Sequence, residues 1–299
     1  MSSAVPSVAS RLPRHGHARK RTAGEGGGRE ATGGEKVGSP RKTCQNALSG
    51  IPWFEVVAVV LTFACTHDCW DNPFLLDDLT KVRDNPDIRS LSLLPSTLVY
   101  PYSQMHGGAE LSRRNDPSRP ITFLSYALDY SLAGPEPRGF RIVNIALHLL
   151  NCIALRRLMR NLQSKVWRED PRTLVGVPEG ASILWLVSPV NMQTAAYIYA
   201  RSELLSTFFS LSSLLLACSP RKTFNVLVLH GLFYLLSLGS KQTAIVLPVC
   251  VVIVRILHGE APLSTYSLQL NIVYLAITAA YCALRFQVSI LSASRDACP

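Results

Sequence analysis

FRIVNIALHLLNCIALRRLM, residues 140–159, is charged only near its ends. A helix crossing the hydrocarbon core of a bilayer needs about 20 largely apolar residues, so this stretch reads as a membrane span. Asn144, His148 and Asn151 recur within it at helical spacing and share one face. Polar groups are costly in hydrocarbon, so that face looks into a bundle or a cavity. Two roles stay open for the three residues: hydrogen bonds between helices, or contact with a ligand. Arg141 sits at the outer end of the helix, at the depth of a lipid phosphate.

Working outward, further apolar runs occur at 51–67, 174–187, 204–218, 223–239, 242–257 and 268–284. The run at 174–187 is short and contains Pro178 and Glu179. The expected fold is an all-α polytopic membrane protein of about seven spans. Its basic tail is residues 1–50, its long first loop 68–139, its six later spans 140–284, and its short terminal tail 285–299. Charge placement tests the topology. Six Lys/Arg (156, 157, 160, 165, 168 and 172) follow the second span, Arg221 and Lys222 follow the fourth, and Arg255 ends the sixth. By the positive-inside rule these connections and the tail are cytosolic. The 68–139 loop carries ten Asp/Glu against seven Lys/Arg and falls on the luminal side. Within it, DIRSLSLLPSTLVYPYS (87–103) is apolar but interrupted by prolines, which suits a short surface-lying helix.

Residues 1–50 hold nine Lys/Arg and three Glu among many glycines, too little apolar surface to offset chain entropy. The segment lacks the compact apolar core of a signal peptide. An apolar run follows it at once, so the net charge of +10 reads as a cytosolic tail and not as a nucleic-acid arm. The eight cysteines are scattered without zinc spacing or a disulfide framework, and no metal site is expected from them. No Asn-x-Ser/Thr sequon occurs.

Three groups of residues have chemical potential. Asp77 and Asp78 lie side by side at a membrane edge in FLLDDLTKVRDNPDI (74–88). Neighbouring carboxylates can hold a hydroxyl, take its proton or bind a divalent cation; a solvated turn is the plain alternative. Arg201, in SPVNMQTAAYIYARSELLS (188–206), and Lys241, in SKQTAIVLP (240–248), return to the face of the acidic loop. Two such cations can clamp a phosphate, or can snorkel to headgroups. The polar face of residues 140–159 is the third group.

Read in order, these blocks together with RPITFLSYALDYSLAGPEPRGFRIVNIALHLLN (119–151) resemble the membrane domain of the transmembrane and tetratricopeptide-repeat-containing O-mannosyltransferases. These are GT-C-class membrane glycosyltransferases, and the likeness runs from about residue 70 to 285. The resemblance implies transfer of mannose from dolichyl-phosphate mannose to Ser/Thr hydroxyls of an acceptor protein, in the endoplasmic reticulum membrane, or at the plasma membrane in a bacterial lineage. It implies that Asp77 or Asp78 deprotonates the acceptor hydroxyl. Arg201 and Lys241 would then neutralise the leaving lipid phosphate, with Arg141 beside them. Asn144, His148, Asn151 and Gln193 would line the cavity. The implied partners are the polyprenyl-phosphate donor, the acceptor protein and membrane lipids, with no nucleic acid; a divalent metal is left open. The family pattern has His-Pro where this chain has Ser188-Pro189, Ser-Lys-Glu where it has Ser240-Lys241-Gln242, and His at Arg141. The class has more spans and a repeat array, so the chain is expected to be an N-terminal, truncated part. A non-catalytic scaffold or lipid-binding remnant of the same fold is the alternative; a transporter is disfavoured because no paired halves occur.

Overall fold

The computed structural model of the chain describes residues 53–91, 118–166, 176–261 and 264–296, with side chains through residue 287. The basic leader and residues 92–103 of the expected surface helix lie outside the described residues. Among the described residues there is no strand, and the architecture is all-α.

The α-helices are α1 (Trp53–Thr66), α2 (Pro120–Ala133), α3 (Pro137–Val166), α4 (Val177–Val187), α5 (Pro189–Ala196), α6 (Arg201–Ala217), α7 (Phe224–Ser240), α8 (Leu247–Leu257) and α9 (Thr265–Asp296). Short 3-10 turns at Ile198–Ala200 and Gln242–Val246 precede α6 and α8. Prolines stand in the first turns of α2, α4, α5 and α8, where the missing N–H is not needed.

Among the described residues two helices are long and apolar enough to cross a membrane, Pro137–Lys165 and Thr265–Gln287; Val177–Val187, Phe224–Ser240 and Gln242–Leu257 are apolar but shorter. The expected acidic loop contains a helix that pattern reading did not separate out, α2. The last helix runs on to Asp296 instead of ending at residue 284. In α2 the apolar positions are interrupted by Ser125, Asp129 and Tyr130, so no span-like run signals it.

Packing explains the faces. On α1, Phe54, Ala58, Thr62 and Thr66 recur every fourth residue and are buried, while Val56, Val59, Val60 and Phe63 point outward. Thr62 and Thr66 return their hydroxyls to the carbonyls four residues back, at 2.7 and 2.8 Å, so that face buries no unpaired hydroxyl. Outward-facing apolar side chains recur on α7 (Val228, Leu232, Leu235), α8 (Val249, Ile253, Ile256) and α9 (Leu268, Ile272, Leu275). Contiguous apolar faces of this kind are stable against lipid and unfavourable in water.

One large core gathers α3, α6, α7, α8 and α9 around Leu158, Tyr234, Leu238, Val251 and Tyr274. A hydroxyl-rich seam runs through it. Ser237 bonds Ser206 and Ser210, Ser213 bonds His230 and Tyr274, and Tyr234 bonds Thr278. Such bonds join helices where lipid offers no alternative partner. A second core, around Phe74, Ile88, Phe123, Tyr126, Phe140 and Ile198, holds the 74–88 loop against α2 and α3. Gly239 allows α7 to cross α2 closely, since a Cβ there would meet Ile121 at 2.9 Å. Beside this crossing, the Thr122 hydroxyl donates to the Ser240 carbonyl at 3.1 Å.

Candidate functional site

Asn72, Leu75, Leu76, Asp78, Arg141, Gln193, Ala196 and Tyr197 line a cleft of about 250 Å³. Three elements build it: the 72–78 loop, the start of α3, and the end of α5 with the residue after it. Asp78, Arg141 and Gln193, separate in the sequence, therefore meet in one place.

The adjacent aspartates have different surroundings. Asp78 is buried, at 1% exposure, and both its oxygens are taken by the backbone. The Tyr199 N–H donates to Oδ1 at 2.8 Å and the Leu75 N–H to Oδ2 at 3.3 Å. Burial pushes its carboxyl above the ordinary value, against the pull of those N–H groups and the Arg141 charge. The Asp78 side chain ties the loop to the segment before α6.

Asp77 is exposed, and no cation pairs with it among the described residues. Its N–H donates to the Tyr197 hydroxyl at 3.2 Å. Burial chiefly, with the neighbouring acids, pushes the Tyr197 phenol up to about 12, so it stays a neutral donor at physiological pH. Tyr197 was not singled out from the sequence. It lies between apolar residues in AAYIYA, and only the fold brings it to Asp77.

Arg141 is buried and gives N–H groups to three carbonyls. Nη2 donates to Pro73 at 2.8 Å, Nη1 to Trp70 at 3.3 Å and Nε to Ala196 at 3.4 Å. It thereby joins the two walls of the cleft while facing its interior. Asn144 continues the frame one turn deeper: Nδ2 reaches the Tyr197 and Ile198 carbonyls at 3.1 and 3.3 Å, and Oδ1 accepts from Arg201 Nε at 2.7 Å.

Arg201 does not line the cleft. It is fully buried, paired with Asp129, bonded through Nη2 to the Phe140 carbonyl at 2.7 Å, and stacked over Tyr126 at 4.8 Å. Asp129, a lone acid in the apolar run ALDYSLA, is the counter-charge that a buried arginine requires. Lys241 is half-buried and paired with Glu203; burial lowers its ammonium, as does the Arg119 charge. His148 bonds the Leu186 carbonyl through Nε2 at 3.0 Å and stacks on Trp185. Asn151 donates to the Leu204 carbonyl at 3.0 Å. Both face neighbouring helices and do not line the cleft. Among the described residues, no group of His, Cys, Asp and Glu is arranged to hold a metal ion.

The arrangement offers an exposed carboxylate beside a neutral phenol, on a loop held rigid by a second, buried carboxylate. It can accept a proton from a hydroxyl brought to the cleft mouth.

No family model and no solved structure matches the chain. Curated relatives do. The chain is 28% identical over 205 residues to the protein O-mannosyl-transferase F38B6.6 of Caenorhabditis elegans, covering 68% of this chain and 28% of that one. It is 27% identical over 227 residues to protein O-mannosyl-transferase Tmtc3 of Drosophila melanogaster, covering 68% and 24%. The human protein O-mannosyl-transferase TMTC4 is 27% identical over 181 residues, covering 58% and 24%. The match spans about a quarter of the length of these relatives. Three of the ordered sequence blocks supply most of the lining of the cleft, and over the matched region the chain is similar to the transmembrane and tetratricopeptide-repeat-containing (TMTC) protein O-mannosyl-transferases.

Proposed function

We propose that the chain forms part of a membrane glycosyltransferase that moves mannose from dolichyl-phosphate mannose to Ser/Thr hydroxyls of proteins. In this reading the protein resides in the endoplasmic reticulum membrane with a cytosolic N-terminus, and the expected seven spans put the 68–139 loop in the lumen. The relatives' names support the transfer of mannose to protein. The alternation of basic and acidic connections supports the orientation.

One observation carries the mechanism: Asp77 is the solvent-facing acid of the pair, and Asp78 is occupied by two backbone N–H groups. Asp77 takes the proton from the acceptor hydroxyl, Tyr197 holds the Asp77 backbone through its N–H, and Asp78 positions the loop. The hydroxyl oxygen attacks the anomeric carbon as the bond to the lipid phosphate breaks. Arg141 faces the cleft and stabilises charge on the departing phosphate. Arg201 and Lys241, already paired with Asp129 and Glu203, hold the frame.

That same pairing is what favours the second reading, a non-catalytic remnant that binds lipid: both cations expected to grip phosphate have internal partners. Incubating the purified protein with radiolabelled dolichyl-phosphate mannose and a Ser/Thr peptide separates the two. Label in the peptide supports the transferase; binding of the donor without transfer supports the remnant.

A further inference from the structure

Leu76 has φ +49°, the only positive φ at a non-glycine residue among the described residues. A branched side chain rarely occupies this left-handed region, where glycine or asparagine fits with less strain. Such strain persists only where the surroundings over-determine it. Here they do: the Asp78 and Leu79 N–H groups donate to the Leu75 and Leu76 carbonyls at 2.9 and 3.1 Å. Asp78 holds Leu75 from the other side, and Tyr197 fixes Asp77. The fold gains no core contact from the leucine, whose surface is 80% exposed; Leu75 beside it is 49% exposed. Both lie on the wall of the cleft, opposite Gln193 and Tyr197.

Leu76 immediately precedes Asp77. Consecutive Cα atoms are about 3.8 Å apart, so a hydroxyl held at Asp77 brings the next residue of its own chain to the leucine. We propose that Leu76, supported by Leu75, is a specificity-determining residue. It receives an apolar side chain next to the Ser/Thr of the acceptor peptide, and the strained turn holds it ready. The identity of the occupant rests on the transferase reading; the strained, exposed apolar wall stands on the geometry alone.

Two fluorescein-labelled peptides test this, each with one central Thr, flanked in one case by Val and in the other by Gln. Their dissociation constants are measured by anisotropy on the full chain in nanodiscs. The parent should prefer the Val-flanked peptide by about tenfold, the effect of burying one such side chain. Leu76→Asn should abolish the preference without lowering the thermal midpoint, because asparagine suits the left-handed turn. Leu76→Met should retain the preference. No preference in the parent, an unchanged preference in Leu76→Asn, or equal weakening of both peptides (a lipid contact or a damaged loop) overturns the proposal. Mannose transfer is run in parallel. Transfer without preference defeats this inference alone, while preference without transfer defeats the transferase reading and leaves a peptide-binding cleft.

Discussion

Arg156 lies between Glu55 and Glu179 at one end of the bundle, with Arg160 also on Glu179; nearby in topology, Arg255 and Lys222 close on Glu260. At the other end Asp77 stands exposed beside a 250 Å³ cleft, paired with no cation among the described residues. Chain direction sets the two ends apart. Helix α3 carries Arg141 in its second turn and Arg156 toward its far end, α6 runs away from Arg201, α7 returns to Ser240, and α8 leaves again toward Arg255. Burial alone would raise the Glu260 carboxyl, but hydrogen bonds from Lys222 and Arg255 hold it below its ordinary value. Charges that neutralise one another join helix ends. A carboxylate left uncompensated beside a cleft, on a backbone held by its neighbour, is what the proposed transfer requires of its base.

Substitutions sharpen the contrast. The largest stability effect belongs to Arg201→Ala, which leaves Asp129 buried without its partner and should cost ~3–5 kcal/mol, read as a lost or much lowered thermal midpoint. Glu179→Gln breaks the tie between Arg156 and Arg160 and should cost about 2–3 kcal/mol, with mannose transfer per folded molecule unchanged. Equal loss of transfer there would erase the distinction between the two ends. Asp78→Asn leaves one backbone N–H without an acceptor and should cost ~1–3 kcal/mol, loosening the 72–78 loop in hydrogen exchange.

The smallest effect is in pH. The Asp78 carboxyl is raised in the folded protein, so its favourable contribution is full below the ordinary carboxylate range and is lost as pH rises through the raised value. The stability gap between the parent and Asp78→Asn should therefore widen on going from neutral to mildly acid pH. A gap that narrows would mean the carboxylate is held below its ordinary value.

Much of this was legible in the chain. The 3.6-residue spacing of Asn144, His148 and Asn151 correctly marks the inward face of α3, because polar groups there must meet protein. Asp78, Arg141 and Gln193 line one cleft, and Asp77 adjoins it through the Tyr197 hydroxyl. The functions of Arg201 and Lys241 were not legible, since a terminal cation in an apolar run looks the same whether it faces a ligand or a buried acid. Asp129 and Glu203 decide that through contacts across 72 and 38 residues of sequence. The division of labour within Asp77-Asp78 was hidden for a similar reason. Adjacent residues in a turn point different ways, and the Tyr199 N–H that claims Asp78 lies 121 residues away.

The most direct test compares Asp77→Asn with the parent in mannose transfer, each normalised to folded protein by its thermal midpoint. Loss of a positioned proton acceptor should reduce the rate by about 10²–10⁴-fold with the midpoint unchanged. Transfer at the parental rate by Asp77→Asn would contradict the assignment of the exposed acid as the base.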